Sequence, residues 1–142
     1  MIADSLSHVA LGLITGVGVF VVLAGARFPA ALPRPLGRAM LVRWLMLATL
    51  ARLEEVGWRG VVLGALQSLV GPVAALGISS LAFAIWHWPS LGARCAVHVV
   101  TGGAFGGAFL AGGIAAASVA HALYNLLVDS AVHAERIRLR SP

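Results

Sequence analysis

The chain is poor in charged residues, and acidic residues are the scarcest of them. Only 11% of its 142 residues are charged, while 60% are hydrophobic; soluble domains carry about 25% charged residues. Five residues are acidic, and the ten basic residues are all arginines. This composition excludes an ordinary soluble domain and predicts a polytopic membrane protein. No basic patch contains interleaved aromatic residues, so we expect no nucleic-acid partner.

Cysteine is almost absent. Cys95 is the only one in the chain, so an internal disulfide is excluded and the partners of a cysteine metal site are missing. We interpret Cys95 as a small, buried apolar residue.

Apolar runs divide the chain into five predicted membrane segments, most of them bounded by proline or glycine. The segments are Leu6–Ala26, Arg38–Val70, Val73–Trp88, Cys95–Ala111 and Ile114–His133. We interpret the first as a retained helix rather than a cleaved signal, because Asp4 and no basic residue precedes it. Three prolines between Arg27 and Pro35 exclude a helix interior there. Gly112-Gly113 predicts a tight turn between the last two segments.

The arginines fit this division into segments. With five crossings, the arginines of two loops and of the tail fall on one side of the membrane: Arg27, Arg34, Arg38, Arg94, Arg136, Arg138 and Arg140. The positive-inside rule then predicts an outer N-terminus and a cytoplasmic C-terminus. The predicted fold is therefore an all-α, polytopic transmembrane bundle of about five helices, multi-pass in the cell inner (plasma) membrane.

Small residues in the fourth segment predict close helix packing. Gly102, Gly103, Gly106 and Gly107 form two overlapping G-x-x-x-G patterns, which let membrane helices approach each other closely. We favour packing within the bundle, and a homodimer through these glycine faces is the alternative.

Three polar clusters interrupt the apolar segments: Glu54-Glu55-x-x-x-Arg59, Phe83-x-x-x-His87 and His121-x-x-x-Asn125. Ionisable residues in membrane helices cost roughly 2.5–3.5 kcal/mol each on insertion scales, and they face the bundle interior rather than lipid. Because the clusters lie on three different segments, we expect them to converge on one cavity. Their carboxylates, imidazoles, guanidinium and carboxamide suit the hydrolysis of a carbonyl compound.

The two adjacent carboxylates are expected to differ. On a helix, residues four apart share a face, so Glu55 aligns with Arg59 and, one turn back, with Arg52. Glu54 has no cation on its own face and is the better candidate for a general base acting on water. The alternative is an interfacial charge network of Arg52, Glu55 and Arg59 without chemistry.

The histidines and the carboxamide complete the candidate site. His121 and Asn125 share a helix face and can both donate hydrogen bonds to one oxygen, as in an oxyanion hole; a simple helix–helix hydrogen bond is the alternative for this pair. His87 lies near the end of its helix, where a structural polar group remains an alternative. His8, His98 and His133 belong to no comparable spacing, and we interpret them as loop or packing residues.

The three motifs, in this order and at these separations, resemble the signatures of the CPBP family of intramembrane proteases. They read Glu54-Glu55-Val-Gly-Trp-Arg59, Phe83-Ala-Ile-Trp-His87 and His121-Ala-Leu-Tyr-Asn125. The family includes type II CAAX prenyl proteases and bacteriocin-processing or immunity proteins. The resemblance divides the chain into an N-terminal helix and linker (residues 1–38), a protease-like core (39–133) and a basic cytoplasmic tail (134–142).

The resemblance implies a role for each motif residue. Glu54 would activate water and His87 would share the proton transfer. His121 and Asn125 would stabilise the oxyanion, and Glu55 and Arg59 would hold the site together. No cofactor is implied by this mechanism; in a metal-dependent alternative, Glu54, His87 and His121 would bind zinc. The implied partners are the lipid bilayer and a membrane-associated substrate that is prenylated, leader-bearing or C-terminally tailed.

Other functions remain open from the sequence alone. A non-catalytic scaffold or immunity protein of the same fold would keep the helices without the chemistry. A haem-binding helix bundle would use His87 and His121 as axial ligands and would leave the glutamate pair without a role. A small transporter subunit would need a polar path across the whole membrane, which the residues after Val61 do not provide.

Overall fold

The computed structural model describes residues 2–25 and 37–140, and the regular secondary structure in these ranges is entirely helical. The predicted all-α class is therefore confirmed for this part of the chain. The elements are α1 (Ile2–Ala24), α2 (Arg38–Glu55), a π-helical segment (Val56–Leu63), α3 (Gly64–Val70), α4 (Pro72–Trp86), α5 (Trp88–Leu91), a 3-10 turn (Gly92–Ala96) and α6 (Val97–Arg140). The predicted Pro/Arg linker lies outside the described residues.

Glycines occupy two of the chain reversals described here. Gly71, with φ of 79°, separates α3 from α4, which begins at Pro72. Inside α6, Gly113 has φ of 65°, and Gly112 is also non-helical. In one unbroken helix Phe105 and His121 would lie on the order of 24 Å apart, yet their ring centroids are 4.9 Å apart. The chain therefore turns back at Gly112-Gly113, as predicted, and α6 consists of a first arm (97–111) and a second arm (114–140).

Helix α1 packs against the second arm of α6, and two glycines bring the backbones together. A Cβ built on Gly12 would lie 2.6 Å from the carbonyl oxygen of Ala116, and one on Gly16 would lie 2.6 Å from that of Ala120. These pairs advance in the same direction along both helices, so the helices run parallel. Close packing of this kind is available only to glycine at these two positions.

We expect Gly16→Ala to destabilise the protein and Gly18→Ala to leave its stability unchanged or slightly higher. The new methyl group at position 16 would meet backbone atoms of the second arm, and such overpacking costs about 1–3 kcal/mol. A Cβ on Gly18 would have no atom within 4 Å, and alanine is the better helix former by about 1 kcal/mol. Thermal unfolding of both variants in the same detergent measures the difference. Equal transition temperatures would contradict the packing described for α1.

The glycine face of the first arm is used inside the chain. A Cβ on Gly102 would lie 3.1 Å from Cα of Ser80, and one on Gly106 would collide with a methyl group of Leu76. Packing within the bundle, the favoured interpretation of this glycine pattern, is therefore confirmed at these two positions. The homodimer alternative stays a prediction.

Two helical stretches of the described chain, Asp4–Ala24 and Trp88–Arg140, are long and apolar enough to cross a membrane, and Pro72–Trp86 is a shorter apolar helix. The second stretch contains the reversal at Gly113 and therefore both arms of α6. The count of about five membrane helices stays a prediction.

Candidate active site

The first motif spans the junction at which the α-helix that begins at Arg38 becomes a π-helix. Helix α2 ends at Glu55, and the π-helical segment that follows carries Arg59. The π-helix is rare and is frequently found at functional sites. The spacing of the motif predicted an ordinary α-helix here, and only Gly57 and Gly60, which relax the backbone, hint at the change.

Glu55 and Arg59 form a buried ion pair. Arg59 Nε lies 3.3 Å from Glu55 Oε2, and both side chains are 0% exposed. The i,i+4 pairing expected from the sequence is thus confirmed. The guanidinium carbon also lies 5.0 Å from the ring centroid of Phe83, within the range of a cation–π interaction.

His121 lies between the two carboxylates of the first motif. Its Nδ1 is 2.8 Å from Glu55 Oε1, and its Nε2 is 3.8 Å from Glu54 Oε2. An ionised carboxylate can only accept a hydrogen bond, so His121 Nδ1 donates to Glu55 and Nε2 is the nitrogen directed towards Glu54. The imidazole is buried, which means that Glu55 fixes both its position and its tautomer.

Glu54 and Glu55 differ sharply in environment. The side chain of Glu54 is 44% exposed, whereas that of Glu55 is fully buried. Arg52, which the helix spacing aligned with Glu55, contacts neither carboxylate. Its Nη1 instead donates to Ser118 Oγ at 3.0 Å and to the carbonyl oxygen of Ile114 at 3.3 Å. The alternative charge network joined Arg52 to Glu55 and Arg59, but the long side chain of Arg52 reaches the second arm of α6 instead.

Phe83 of the second motif contacts residues of all three motifs. Its ring is fully buried and meets those of His87 and His121 edge-on, at centroid distances of 4.7 and 6.3 Å. Trp58, which follows Glu54 by one turn, meets the same ring at 5.6 Å. Residues of the π-helical segment, of the end of α4 and of both arms of α6 therefore surround one aromatic side chain.

His87 is anchored by its own helix. Its Nδ1 lies 2.8 Å from the carbonyl oxygen of Phe83, which can only accept, so this nitrogen carries the hydrogen and Nε2 carries the lone pair of the neutral ring. Within the described residues, no hydrogen bond or ion pair joins His87 to Glu54. Their predicted cooperation in proton transfer stays a prediction.

His98 is the site residue that the sequence missed. Its ring stacks on that of His87 with centroids 4.1 Å apart and planes inclined by 26°, and it meets Phe83 edge-on at 5.4 Å. The interpretation of His98 as a packing residue agrees with these contacts, but the sequence did not predict that it packs on the second motif. The one available signal was its position one turn before Gly102 on the glycine face, because residues four apart share a face.

Asn125 lies one turn after His121 on the second arm and is half-buried. In the part of the chain that the structure describes, its carboxamide has no hydrogen-bond partner. The ring of the neighbouring Tyr124 packs on Phe105 at 5.9 Å, and Phe105 in turn stacks on His121. Asn125 shares its helix face with His121, and its oxyanion role stays a prediction.

A separate cavity lies near the end of the second arm. Its volume is about 530 Å³, and the residues that line it are Gly37, Ala39, Met40, Arg43, Asp129, Val132, His133 and Arg136. Arg43 Nε donates to both carboxylate oxygens of Asp129, at 2.8 and 2.9 Å, so one ion pair crosslinks α2 and α6 there. None of the three motifs contributes to this cavity.

The residues proposed as zinc ligands do not form a metal site. Among residues 2–25 and 37–140, no three His, Cys, Asp or Glu side chains are placed to hold one metal ion. In this arrangement Glu54, His87 and His121 do not surround one common point, and the zinc alternative stays a prediction.

Comparison with known proteins identifies a family. Residues 36–127 match the family model described as type II CAAX prenyl endopeptidase Rce1-like. No curated protein and no solved structure matches the chain. The matched region contains all three motifs and most of the chain, and the proteins of this family are membrane proteins. The chain therefore belongs to the Rce1-like family of type II CAAX prenyl endopeptidases.

Proposed function

We propose that this protein is an intramembrane endopeptidase in which Glu54 activates the water that attacks a peptide bond. The substrate is a membrane-associated protein or peptide that is prenylated, leader-bearing or C-terminally tailed. Family membership supports a CAAX-type protease, and the mechanism rests on the arrangement of side chains around Phe83.

The observation that carries the proposal is the different environment of the two glutamates. Glu55 is fully buried, ion-paired with Arg59 and bonded to His121, so its carboxylate is closed to water. Glu54 is 44% exposed and faces His121 Nε2 at 3.8 Å. A general base needs access to water as well as a lone pair, and of the two only Glu54 has that access.

The reaction follows from these positions. Glu54 takes a proton from water as the water oxygen bonds to the scissile carbonyl carbon. The negative charge that develops on the carbonyl oxygen is stabilised by hydrogen bonds from His121 Nε2 and the Asn125 carboxamide. His121 donates from Nε2 only when both nitrogens carry hydrogen, and the Glu55 carboxylate at 2.8 Å offsets the charge of that form. Proton transfer to the amine nitrogen, shared by Glu54 and His87, completes the cleavage as the C–N bond breaks.

The test is cleavage in liposomes of a panel of prenylated, leader-bearing and C-terminally tailed peptides, with products identified by mass spectrometry. Each reaction is run with and without a metal chelator. We expect at least one substrate to be cut at one bond, with the same rate in chelator. Loss of activity in chelator and its recovery with zinc would contradict the glutamate mechanism. If the folded wild-type protein cut no member of the panel, the non-catalytic scaffold would become the better account.

Asn125→Ala is expected to lower kcat with little change in KM. The carboxamide stabilises charge that exists only in the transition state, and removal of one such donor costs about 10²–10³-fold in kcat. Ser130→Ala, a change on the same arm but outside the motifs, serves as the control. An unchanged kcat in Asn125→Ala would remove this residue from the oxyanion site.

A further inference from the structure

We propose that His98 is a positioning residue that holds the imidazole of His87 in the orientation needed for proton transfer. The inference rests on the proposed function, since His87 is assigned its chemistry there. None of the three family motifs contains His98, and the geometry alone points to its role.

The first step is the placement of His98. Gly102 lets the first arm of α6 approach α4 so closely that a Cβ on Gly102 would lie 3.4 Å from the Phe83 ring and 3.1 Å from Cα of Ser80. His98 lies one turn earlier on the same face. The close approach therefore brings the imidazole of His98 onto that of His87 at the end of α4.

The second step is the rigidity of His98 itself. Its Nδ1 lies 3.3 Å from Thr101 Oγ1, and that hydroxyl donates to the carbonyl oxygen of His98 at 3.5 Å. The Thr101 hydroxyl has one hydrogen, so His98 Nδ1 is the donor in the contact between the two side chains. Thr101 is only 1% exposed. The ring of His98 is thus fixed by a buried residue of its own arm.

The third step is the effect on His87. The ring of His87 is confined between the face of His98 at 4.1 Å and the edge of Phe83 at 4.7 Å. Rotation about its side-chain torsions would break either the stack or the bond from Nδ1 to the Phe83 carbonyl oxygen. As long as both hold, Nε2 keeps one direction and remains the acceptor nitrogen. Misplacement of a catalytic group by about 1 Å can cost on the order of 10²-fold in rate.

The test compares His98→Ala with His98→Phe. Phenylalanine preserves the stacking surface but has no ring nitrogen, so a positioning role predicts that it restores most of the activity that alanine loses. We expect His98→Ala to lower kcat by roughly tenfold or more at nearly constant KM, His98→Phe to stay near wild type, and Thr101→Val to show a smaller loss. His133→Ala, at a histidine outside the site, is the control. If alanine and phenylalanine were equally inactive, or both fully active, the positioning role would be overturned.

A second readout does not depend on cleavage. In protein labelled with ¹⁵N-histidine, NMR reports which nitrogen of His87 carries the hydrogen. We expect the Nδ1–H form in wild type and His98→Phe, and a mixture of tautomers in His98→Ala. An unchanged Nδ1–H form in His98→Ala would overturn the inference even in an active enzyme. Conversely, the expected tautomer change in a protein that cuts no substrate would support the role of His98 while the proposed function failed.

Discussion

Glu54→Gln is expected to abolish peptide-bond cleavage while the protein remains folded. Glutamine has nearly the same shape, but its carboxamide cannot take a proton from water. General-base catalysis contributes about 10²–10⁴-fold, and we expect turnover to fall by at least that factor. Because the side chain is 44% exposed and shares no buried hydrogen bond, we expect the free energy of unfolding to change by less than about 0.5 kcal/mol.

The measurement is the initial rate of cleavage in liposomes for wild type, Glu54→Gln and Glu135→Gln, together with thermal unfolding of each. Glu135 lies on the exposed end of the second arm, so its variant controls for the loss of one carboxylate charge. Wild-type rates in Glu54→Gln would exclude Glu54 as the base. If Glu135→Gln lowered the cleavage rate as much as Glu54→Gln does, the rate would depend on the net charge of the protein rather than on a base at position 54.

Local rules predicted much of the fold from the sequence. The boundaries of the second segment, the reversal at Gly112-Gly113 and the pairing of Glu55 with Arg59 depend on contacts within one helix or one turn. Hydrophobic runs, glycine torsions and i,i+4 spacing describe such contacts well. The glycine face of the first arm was also recognised, although its neighbours on α4 were not.

Contacts between helices could not be predicted in the same way. Arg52 was aligned with Glu55 on its own helix, yet its guanidinium reaches Ser118 on the second arm. His98 was set aside for lack of a motif, although the approach of two helices at Gly102 places it on His87. Both outcomes depend on where a neighbouring helix lies, and helix periodicity contains no information on that. The helix spacing predicted that the two glutamates differ, but it did not predict that His121 lies between them.

The buried pair of Glu55 and Arg59 gives the largest expected effect on stability. Either single change, Glu55→Gln or Arg59→Met, leaves one ionised group buried without its partner. Breaking a buried pair in this way costs about 3–5 kcal/mol. We therefore expect each single variant to unfold at a much lower temperature than wild type, and to lose activity because it populates the folded state poorly.

The double variant Glu55→Gln/Arg59→Met is expected to be more stable than either single variant. It removes both charges, and replacing a buried ion pair by neutral side chains of similar volume is often neutral or stabilising. Glutamine at position 55 can still accept the hydrogen bond from His121 Nδ1, so the orientation of that imidazole should be retained. The unfolding free energies of wild type, the two single variants and the double variant, measured in one detergent, form a double-mutant cycle. Contacting residues show coupling energies of about 0.5–3 kcal/mol in such cycles. Strictly additive losses of unfolding free energy would contradict the coupling of the two side chains.

Recovery of cleavage in the double variant would assign the pair a structural role, because activity would then return with the fold although neither charge is present.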